Sequence, residues 1–325
     1  MRLQVPFIQL PLLFDAPALA AEIAAIEDAM WRPHPQGYPG NSMLPLVAVH
    51  GDPANEAFAG PMRPTPYLER CPYLRQAIGS LGVVVGRTRL MRLSGHAEVT
   101  VHVDQGYYWA ERMRVHVPIV TQPTVRFECG DAAIHMAAGE CWVFDTWRQH
   151  RVLNDAEASR IHLVVDTVGG DGFWDMVGGS RPHDASLVAW KPRMVKPGDS
   201  TPDCVFESVN VPNVISPWEL NTHLGLLFAD ALPHPDLDML RQRATHLSRT
   251  WRSLWARFGD APEGRAQFRA AMDHFAADVR QRGRLVELRN GAGWYDAMMT
   301  LLARTVVNDS QAATAADEYG PSDRA

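Results

Sequence analysis

Short runs of β character, separated by turn residues, follow one another between residues 83 and 166, and they constrain the fold of this chain more than any other feature. Many short strands with turn signals between them are typical of a β-sandwich or a jelly roll. A barrel of this kind can hold a metal ion at its mouth, with ligands from strands and from an adjoining loop. The runs comprise residues 83–93, 98–103, 112–120, 125–128, 132–136, 140–144 and 160–166.

The regions upstream of these runs are less regular. Residues 4–10 favour a short strand, and Asp15 is the candidate N-cap of a helix that has Pro17 in its first turn. Residues 31–66 are rich in proline, glycine and asparagine, which indicates loops and short extended pieces. A further helix is expected around residues 73–80.

The C-terminal part of the chain predicts helices instead of strands. Ser216, followed by Pro217 and by Glu219, is the sequence of a helix start with a capping box. Trp251 and Trp255 keep helical spacing and are expected in a core; a homodimer interface is the alternative. The predicted helices comprise residues 217–231, 235–258, 262–282 and 292–307. The predicted organisation is a jelly-roll domain at 1–180, a linker at 181–212, a helical domain at 213–308 and a disordered tail at 309–325.

Composition excludes several classes of protein. The chain has 325 residues, of which 46% are hydrophobic and 21% charged, as in an ordinary soluble globular protein. A formal net charge of -6 argues against a nucleic-acid surface. No stretch approaches the roughly 20 apolar residues that span a membrane. Four widely spaced cysteines without a CxxC pair predict reduced thiols, so a cytoplasmic location is expected.

A constellation of four residues carries the candidate chemistry. His102 and Asp104 lie two residues apart, which puts both side chains on one face of a strand, and His150 follows after a loop-containing interval. Two histidines and one carboxylate suit a non-haem Fe(II) oxygenase, because three ligands on one face leave three positions open. Arg160 begins a predicted strand, from which its guanidinium can bind a carboxylate through two parallel hydrogen bonds. The alternative for the histidine–aspartate pair alone is a solvated strand face.

Three motifs in this order resemble those of the aspartyl/asparaginyl β-hydroxylase family. They are RVH at 114–116, HMAAGECWVFD at 135–145 and RIHLVVD at 160–166, with His150 between the last two. The chain is especially similar to the bacterial branch that includes proline cis-hydroxylases. The resemblance is good over residues 60–170, loose over 1–60 and poor in the C-terminal part.

The resemblance implies a mainly β fold, with a double-stranded β-helix core (a jelly roll, cupin-like) and a C-terminal α-helical domain. It implies Fe(II), 2-oxoglutarate and O2 as cofactor and co-substrates. Iron ligands are then expected at His102, Asp104 and His150, and 2-oxoglutarate contacts at Arg160 and His116. Arg89 and Arg114 match the arginines that engage the substrate carboxylate in proline hydroxylases.

One segment departs from the proline enzymes. Residues 105–111 are aromatic, which argues against free proline as the substrate. Within this segment, Tyr107, Tyr108 and Trp109 either roof the substrate, which makes Tyr108 a candidate substrate contact, or anchor the loop to its own domain.

The strand that contains the RVH motif leaves two alternatives open. Arg112, Arg114 and His116 alternate with the apolar residues Met113 and Val115. The polar row faces either solvent or the barrel cavity, and the resemblance favours the cavity. On that view Arg114 is functional, whereas Arg112 is expected to be closer to a surface charge.

The function expected from these residues is hydroxylation of an unactivated carbon of an amino acid, free or in a peptide, with succinate and CO2 as co-products. A non-catalytic, metal-binding, cupin-like binding or sensor protein is the alternative from another class. Desaturation on the same scaffold is a third hypothesis. The expected partner is a small amino acid or a peptide, with no nucleic acid and no membrane.

Overall fold

The computed structural model describes residues 1–305 and 307–308, so the predicted tail at 309–325 lies outside the described residues. The chain divides into two compact units. The β unit comprises Met1–His102 and Glu111–Ser208, and the helical unit comprises Val103–Ala110 together with the chain from Val209 onward. The domain boundaries drawn from the sequence stay a prediction.

The named strands all lie in the β unit, whereas the helices are divided between the two units. In chain order the strands are β1 (Phe7–Phe14), β2 (Arg32–Pro33), β3 (Asn41–Val49), β4 (Met62–Pro64), β5 (Val84–Leu93), β6 (Glu98–His102), β7 (Met113–Val120), β8 (Val125–Cys129), β9 (Ala132–Ile134), β10 (Glu140–Phe144), β11 (His150–Asn154), β12 (Arg160–Thr167), β13 (Arg181–Pro182), β14 (Arg193–Val195) and β15 (Val205–Phe206). The helices are α1 (Ala16–Ala24), α2 (Pro66–Glu69), α3 (Pro72–Gly79), α4 (Tyr107–Ala110), α5 (Phe173–Gly178), α6 (Pro217–Asp230), α7 (Leu237–Phe258), α8 (Arg265–Gly283) and α9 (Trp294–Met298).

The β unit is built from two sheets. The large sheet has the order β13-β1-β10-β7-β12-β5-β3-β2, and the small sheet has the order β6-β11-β8-β9. Consecutive strands from β5 to β12 cross from one sheet to the other, apart from the β8–β9 pair, and their pairings are antiparallel. This alternation is the topology of a jelly roll, or double-stranded β-helix. The predicted mainly β fold with a helical C-terminal part is confirmed.

Two segments differ from the sequence expectation. Residues 150–154, for which the sequence predicts no strand, form β11 at the centre of the small sheet. Residues 181–212, predicted as an irregular linker, contribute β13 and β14 beside β1 and β15 beside β5. These last strands are two or three residues long, and a pattern of period two is too short there to be read from the sequence.

Two apolar clusters occupy opposite faces of the large sheet. Met113, Val115 and Val117 of β7 belong to the outer cluster, which also contains residues of α1 and α3. The inner cluster contains Phe127 of β8 and Phe144 of β10 together with other side chains of both sheets. Because apolar side chains of β7 face the outer cluster, the alternating polar residues of that strand face the barrel interior.

The helical unit has the predicted helix start. The Ser216 hydroxyl accepts a hydrogen bond from the Glu219 backbone N–H, and the Glu219 carboxylate accepts one from the Ser216 backbone N–H. Trp251 is completely buried and its indole N–H donates to the Ile215 carbonyl, as expected of a core residue. The last predicted helix is shorter than expected, since α9 passes into a π-helical turn at Met299–Ala303. Across the described residues, we find no helix with the length and apolar character needed to cross a bilayer.

Candidate metal centre and its pocket

Two histidines of the candidate site are held by strand pairing. His150 at the start of β11 lies directly opposite His102 at the end of β6, and their ring centroids are 4.2 Å apart. Each ring has its Nδ1 close to a backbone carbonyl two residues earlier, at 2.8 Å from Thr100 O and 2.9 Å from Arg148 O. A carbonyl oxygen only accepts, so Nδ1 carries the proton and donates. The Nε2 atom of each imidazole is therefore the one with a lone pair for a metal ion.

Asp104 is placed differently from the two histidines. The strand expected to run through residue 103 ends at His102, so Asp104 lies in the irregular stretch between β6 and α4. The same-face geometry of a strand therefore does not account for its position. The Asp104 side chain is nevertheless only 1% exposed.

The three side chains form a group that fits a single metal ion. One ligand atom from each of His102, Asp104 and His150 lies within 4.8 Å of the other two. Two imidazole nitrogens and one carboxylate oxygen are the donor set of facial Fe(II) sites. Among the described residues no other three His, Cys, Asp or Glu side chains come together in this way. Their assignment as ligands stays a prediction, which this geometry supports.

Polar residues of three neighbouring strands line the barrel interior. The alternative that placed the RVH row toward the cavity is the one observed, since Arg114 and His116 are buried opposite the outer apolar cluster. On β12 the alternation is the same: Ile161, Leu163 and Val165 pack with the outer cluster. The polar residues of this interior row are Arg89 of β5, Arg114 and His116 of β7, and Arg160, His162 and Asp166 of β12.

Arg160 is a buried cation. Its side chain is 4% exposed, and burial lowers the pKa of the guanidinium to about 10, so the group stays protonated at neutral pH. One Nη atom donates to the Met91 carbonyl at 3.3 Å, and no carboxylate of the described residues lies within ion-pair distance. The Nε–H finds no acceptor among those residues. A buried charge without a counter-charge is costly, so this position favours an anionic ligand.

His116 and His162 provide neutral hydrogen-bonding groups next to Arg160. Burial, and then the charges of Arg114 and Arg160, hold the pKa of His116 well below its usual value. Burial and the charge of Arg160 do the same for the pKa of His162. The two Nδ1 atoms are 3.4 Å apart, whereas the Nε2 atom of each ring has no hydrogen-bond partner within the described part of the chain.

The side chain of Phe144 packs between His116 of the interior row and His150 of the candidate metal centre. The Phe144 ring centroid lies 4.9 Å from that of His150 and 5.4 Å from that of His116. His116 is in turn 5.7 Å from His162. The predicted co-substrate residues Arg160 and His116 thus belong to the same interior as His150.

Arg89 and Arg114 converge on a carboxylate of the chain itself, and their role in substrate binding stays a prediction. Arg114 Nε lies 3.2 Å from Asp166 Oδ1, and Arg89 Nη2 lies 4.0 Å from Asp166 Oδ2. Sequence reasoning gave Asp166 no role. A signal for it existed, since Asp166 follows Arg160 by six residues and therefore has the same strand parity.

Arg112 contradicts the expectation of a surface charge. Its side chain is buried, and Nε and Nη2 lie 2.9 and 3.2 Å from the two carboxylate oxygens of Glu207. A bidentate carboxylate offsets the cost of burying the Arg112 guanidinium. Glu207 immediately follows β15, inside the segment expected to be a linker, so the sequence offered no indication of the pair.

The aromatic residues after Asp104 are buried and not exposed at a rim. Tyr107, Tyr108 and Trp109 form α4, and the Tyr108 side chain is 0% exposed with its ring edge-on to Trp109 at 4.8 Å. Complete burial favours the anchoring alternative over the roofing one. A substrate contact at Tyr108 stays a prediction.

A histidine that sequence reasoning did not select lies near the site. His34 is buried in the loop between β2 and β3, and its ring centroid is 6.0 Å from Tyr38, whose ring is 6.5 Å from His102. Burial, followed by the charges of Arg89 and Arg87, lowers the pKa of His34 to about 3. The His34 imidazole is therefore neutral at pH 7, and it lies near Arg89 and Arg87.

A family model matches the part of the chain that contains the candidate site residues. Residues 58–169 match the family model described as Aspartyl/Asparaginyl beta-hydroxylase. The predicted resemblance is confirmed. The matched hydroxylase-family segment includes the three candidate metal ligands, the candidate co-substrate residues and both candidate substrate arginines.

One curated relative and two solved structures illustrate the range of similarity. L-proline cis-3-hydroxylase 1 from Streptomyces sp is 29% identical over 143 residues, which are 41% of this chain and 48% of that protein. The alignment therefore spans about half the length of the curated relative. A Pseudomonas putida prolyl-4-hydroxylase is 17% identical, with 52% of this chain and 95% of that chain covered and a TM-score of 0.34. A Burkholderia pseudomallei oxidoreductase of the 2OG-Fe(II) oxygenase family is 12% identical, with 48% and 80% covered and a TM-score of 0.35.

Proposed function

We propose that this chain is an Fe(II)- and 2-oxoglutarate-dependent dioxygenase that hydroxylates an unactivated carbon of an amino acid, free or within a peptide. Succinate and CO2 are the co-products. One observation carries the proposal: a two-histidine, one-carboxylate group shares the barrel interior with Arg160, a buried cation that lacks an anionic partner among the described residues. The family match over residues 58–169 supports it.

His102, Asp104 and His150 would hold the iron. The hydrogen bonds from Nδ1 to the backbone carbonyls fix the orientation of each ring. They also raise the basicity of Nε2, which strengthens its bond to a metal ion. Asp104 contributes a negative charge that offsets part of the charge of the ion. When bound, Fe(II) and 2-oxoglutarate together activate O2 and supply the oxidising power for insertion of oxygen into a C–H bond.

Arg160 would hold the co-substrate. 2-Oxoglutarate has a carboxylate at each end, and a buried guanidinium binds a carboxylate through two charge-assisted hydrogen bonds. The Nε2 atoms of His116 and His162 offer further hydrogen bonds in the same interior. Because both imidazoles are neutral, they add polarity without a second charge.

The Asp166 end of the interior polar row, opposite Arg160, suits the substrate. Arg160 and Asp166 are six residues apart on β12, which corresponds to roughly 20 Å along the strand. Arg89 and Arg114 lie at the Asp166 end, so two different carboxylates can be recognised without competition. An amino acid matches this end, because its carboxylate can face the guanidinium groups while its ammonium faces Asp166.

The named relative acts, by its name, on L-proline, and a small amino acid is therefore the first substrate class to test. The aromatic segment 105–111 differs from the proline enzymes, so substrates other than free proline are included. Free amino acids and short peptides belong in the same screen.

The test is substrate-dependent release of succinate. Wild-type protein with Fe(II), 2-oxoglutarate and O2 is screened against free amino acids and short peptides, and products are read by mass spectrometry. Gain of one oxygen supports hydroxylation, whereas loss of two hydrogens indicates desaturation. Iron binding without any succinate release across the screen would contradict an oxygenase and favour a metal-binding protein.

A further inference from the structure

Asp104 is the ligand candidate that strand pairing does not hold. His102 and His150 face each other in the β6–β11 pair, whereas Asp104 lies beyond the end of β6. Its position therefore depends in part on what fixes the short segment around it. That segment, Val103–Ala110, belongs to the helical unit.

Tyr107 attaches this segment to helix α6. Its hydroxyl donates to Glu219 Oε1 at 2.8 Å, and its ring meets the His223 ring edge-on at a centroid distance of 5.5 Å. Tyr107 and His223 are both buried. Burial lowers the pKa of His223 to about 4, so its ring is neutral at pH 7 and packs against the tyrosine without a charge.

Glu219 is itself rigidly placed. Its second oxygen, Oε2, accepts the Ser216 backbone N–H at 2.8 Å as part of the capping box of α6. A carboxylate in the first turn of a helix is further stabilised by the helix dipole. The tyrosine hydroxyl therefore binds an acceptor that the helix terminus already holds in one orientation.

Only two residues, Gln105 and Gly106, separate Asp104 from this anchor. The Gly106 carbonyl accepts the N–H groups of Trp109 and Ala110, which closes α4 around the anchored tyrosine. Loss of the anchor would loosen this segment, and ordering the segment again when the metal binds would lower the metal affinity.

We propose that Tyr107 and Glu219 are positioning residues, which keep Asp104 ready to bind the metal ion. The inference rests on the proposed function only in that the three ligands bind a divalent metal. Tyr107 lies inside the family match at 58–169, whereas Glu219 lies outside it and outside the sequence motifs.

Three variants of the full chain separate positioning from general stability. Tyr107→Phe removes one hydroxyl and keeps the ring against His223, and Glu219→Gln changes its acceptor. Ser216→Ala is the matched control, because it weakens the same capping box without touching the tyrosine hydrogen bond. All three are titrated with Co(II) alone, followed by visible absorption and calorimetry, and all three are melted without metal.

Tyr107→Phe is expected to lower Co(II) affinity by up to about tenfold, which corresponds to the loss of one hydrogen bond that keeps the Asp104 segment ordered. Ser216→Ala is expected to lower the melting temperature by a few degrees and to leave Co(II) affinity as in the wild type. Glu219→Gln, which keeps the shape of the side chain and removes its charge, should lower affinity in the same direction as Tyr107→Phe.

Wild-type Co(II) affinity in both Tyr107→Phe and Glu219→Gln would overturn the inference. So would an equal loss of affinity in Ser216→Ala, because the effect would then follow helix stability. The proposed function is judged separately, on 2-oxoglutarate consumption by the wild-type chain, so the two can fail independently.

Discussion

The histidine ligands and the carboxylate ligand of the candidate centre are supported in contrasting ways. His102 and His150 sit opposite each other in an antiparallel ladder, and backbone hydrogen bonds along both strands hold them. Asp104 lies outside that ladder, on a segment attached by the side chain of Tyr107. A ladder distributes its support over many backbone hydrogen bonds, whereas the Tyr107–Glu219 contact is one side-chain hydrogen bond. Substitutions of non-ligand residues on β6 and β11 are therefore expected to affect metal binding less than substitution of Tyr107.

The largest effect is expected from removal of a ladder-held ligand. His150→Ala should abolish Fe(II) binding and 2-oxoglutarate consumption, because two of three donors cannot retain the ion at physiological concentration. The neighbouring Arg151→Ala is the matched control, since Arg151 pairs with Glu128 on the exposed side of the same strand. Calorimetric iron titration and succinate detection measure both. Succinate production by His150→Ala at the wild-type rate would contradict the iron assignment.

The next largest effect concerns the co-substrate end of the interior row. Arg160→Gln should raise the 2-oxoglutarate concentration needed for half-maximal turnover by about 30-fold or more, since loss of a buried charge pair costs on the order of 2–5 kcal/mol. Iron affinity should change little. Arg126→Gln is the control, because Arg126 forms an exposed pair with Asp155. If the control and not Arg160→Gln showed the loss, the co-substrate site would have been assigned to the wrong arginine.

A smaller effect is expected at the substrate end. Arg114→Ala should raise the KM of the best substrate roughly tenfold, because a hydrogen bond to a charged group contributes about 1.5–3 kcal/mol. The 2-oxoglutarate requirement should stay unchanged, since Arg160 lies at the other end of β12. Steady-state kinetics, with the best substrate and 2-oxoglutarate varied in turn, measure the two requirements separately. Unaltered KM for the best substrate would show that this guanidinium does not recognise the carboxylate.

The smallest effect tests the anchor of the Asp104 segment by pH. His223 has a folded pKa of about 4, below the unfolded value of about 6.5, so the unfolded state takes up a proton first as pH falls. The His223 contribution to stability is therefore fully present well above pH 6.5 and is lost as pH falls through that value toward 4, by about 0.8 kcal/mol between pH 7.5 and 6. His223→Gln should reduce the slope of the unfolding free energy against pH by up to one bound proton, as measured by denaturant unfolding at several pH values. An identical slope in the variant would show that His223 is not buried and neutral.

Much of the fold followed from the sequence because strand parity is a local property. The alternation of Met113 and Val115 with Arg114 and His116 was visible before the structure, and the resemblance favoured the side that faces the cavity. The strand at 150–154 was missed because its buried positions are His150, Val152 and Asn154, which alternate correctly but are mostly polar.

The missed parts of the site depend on contacts between residues far apart in sequence. Asp166 is 52 residues from Arg114, and Glu207 is 95 residues from Arg112. No local pattern specifies such partners, since only the packed sheets bring them together. The same holds for Tyr107 and Glu219, which are 112 residues apart.

The central claim is that one interior binds Fe(II) at the triad and 2-oxoglutarate at Arg160 at the same time. Anaerobic titration of the iron-loaded protein with 2-oxoglutarate tests it most directly, because chelation of Fe(II) by a 2-oxo acid produces a visible charge-transfer absorption. We expect the band in the wild type, its shift to higher 2-oxoglutarate concentration in Arg160→Gln, and its loss in His150→Ala. A wild-type protein that binds Fe(II) and shows no band at saturating 2-oxoglutarate would contradict the account.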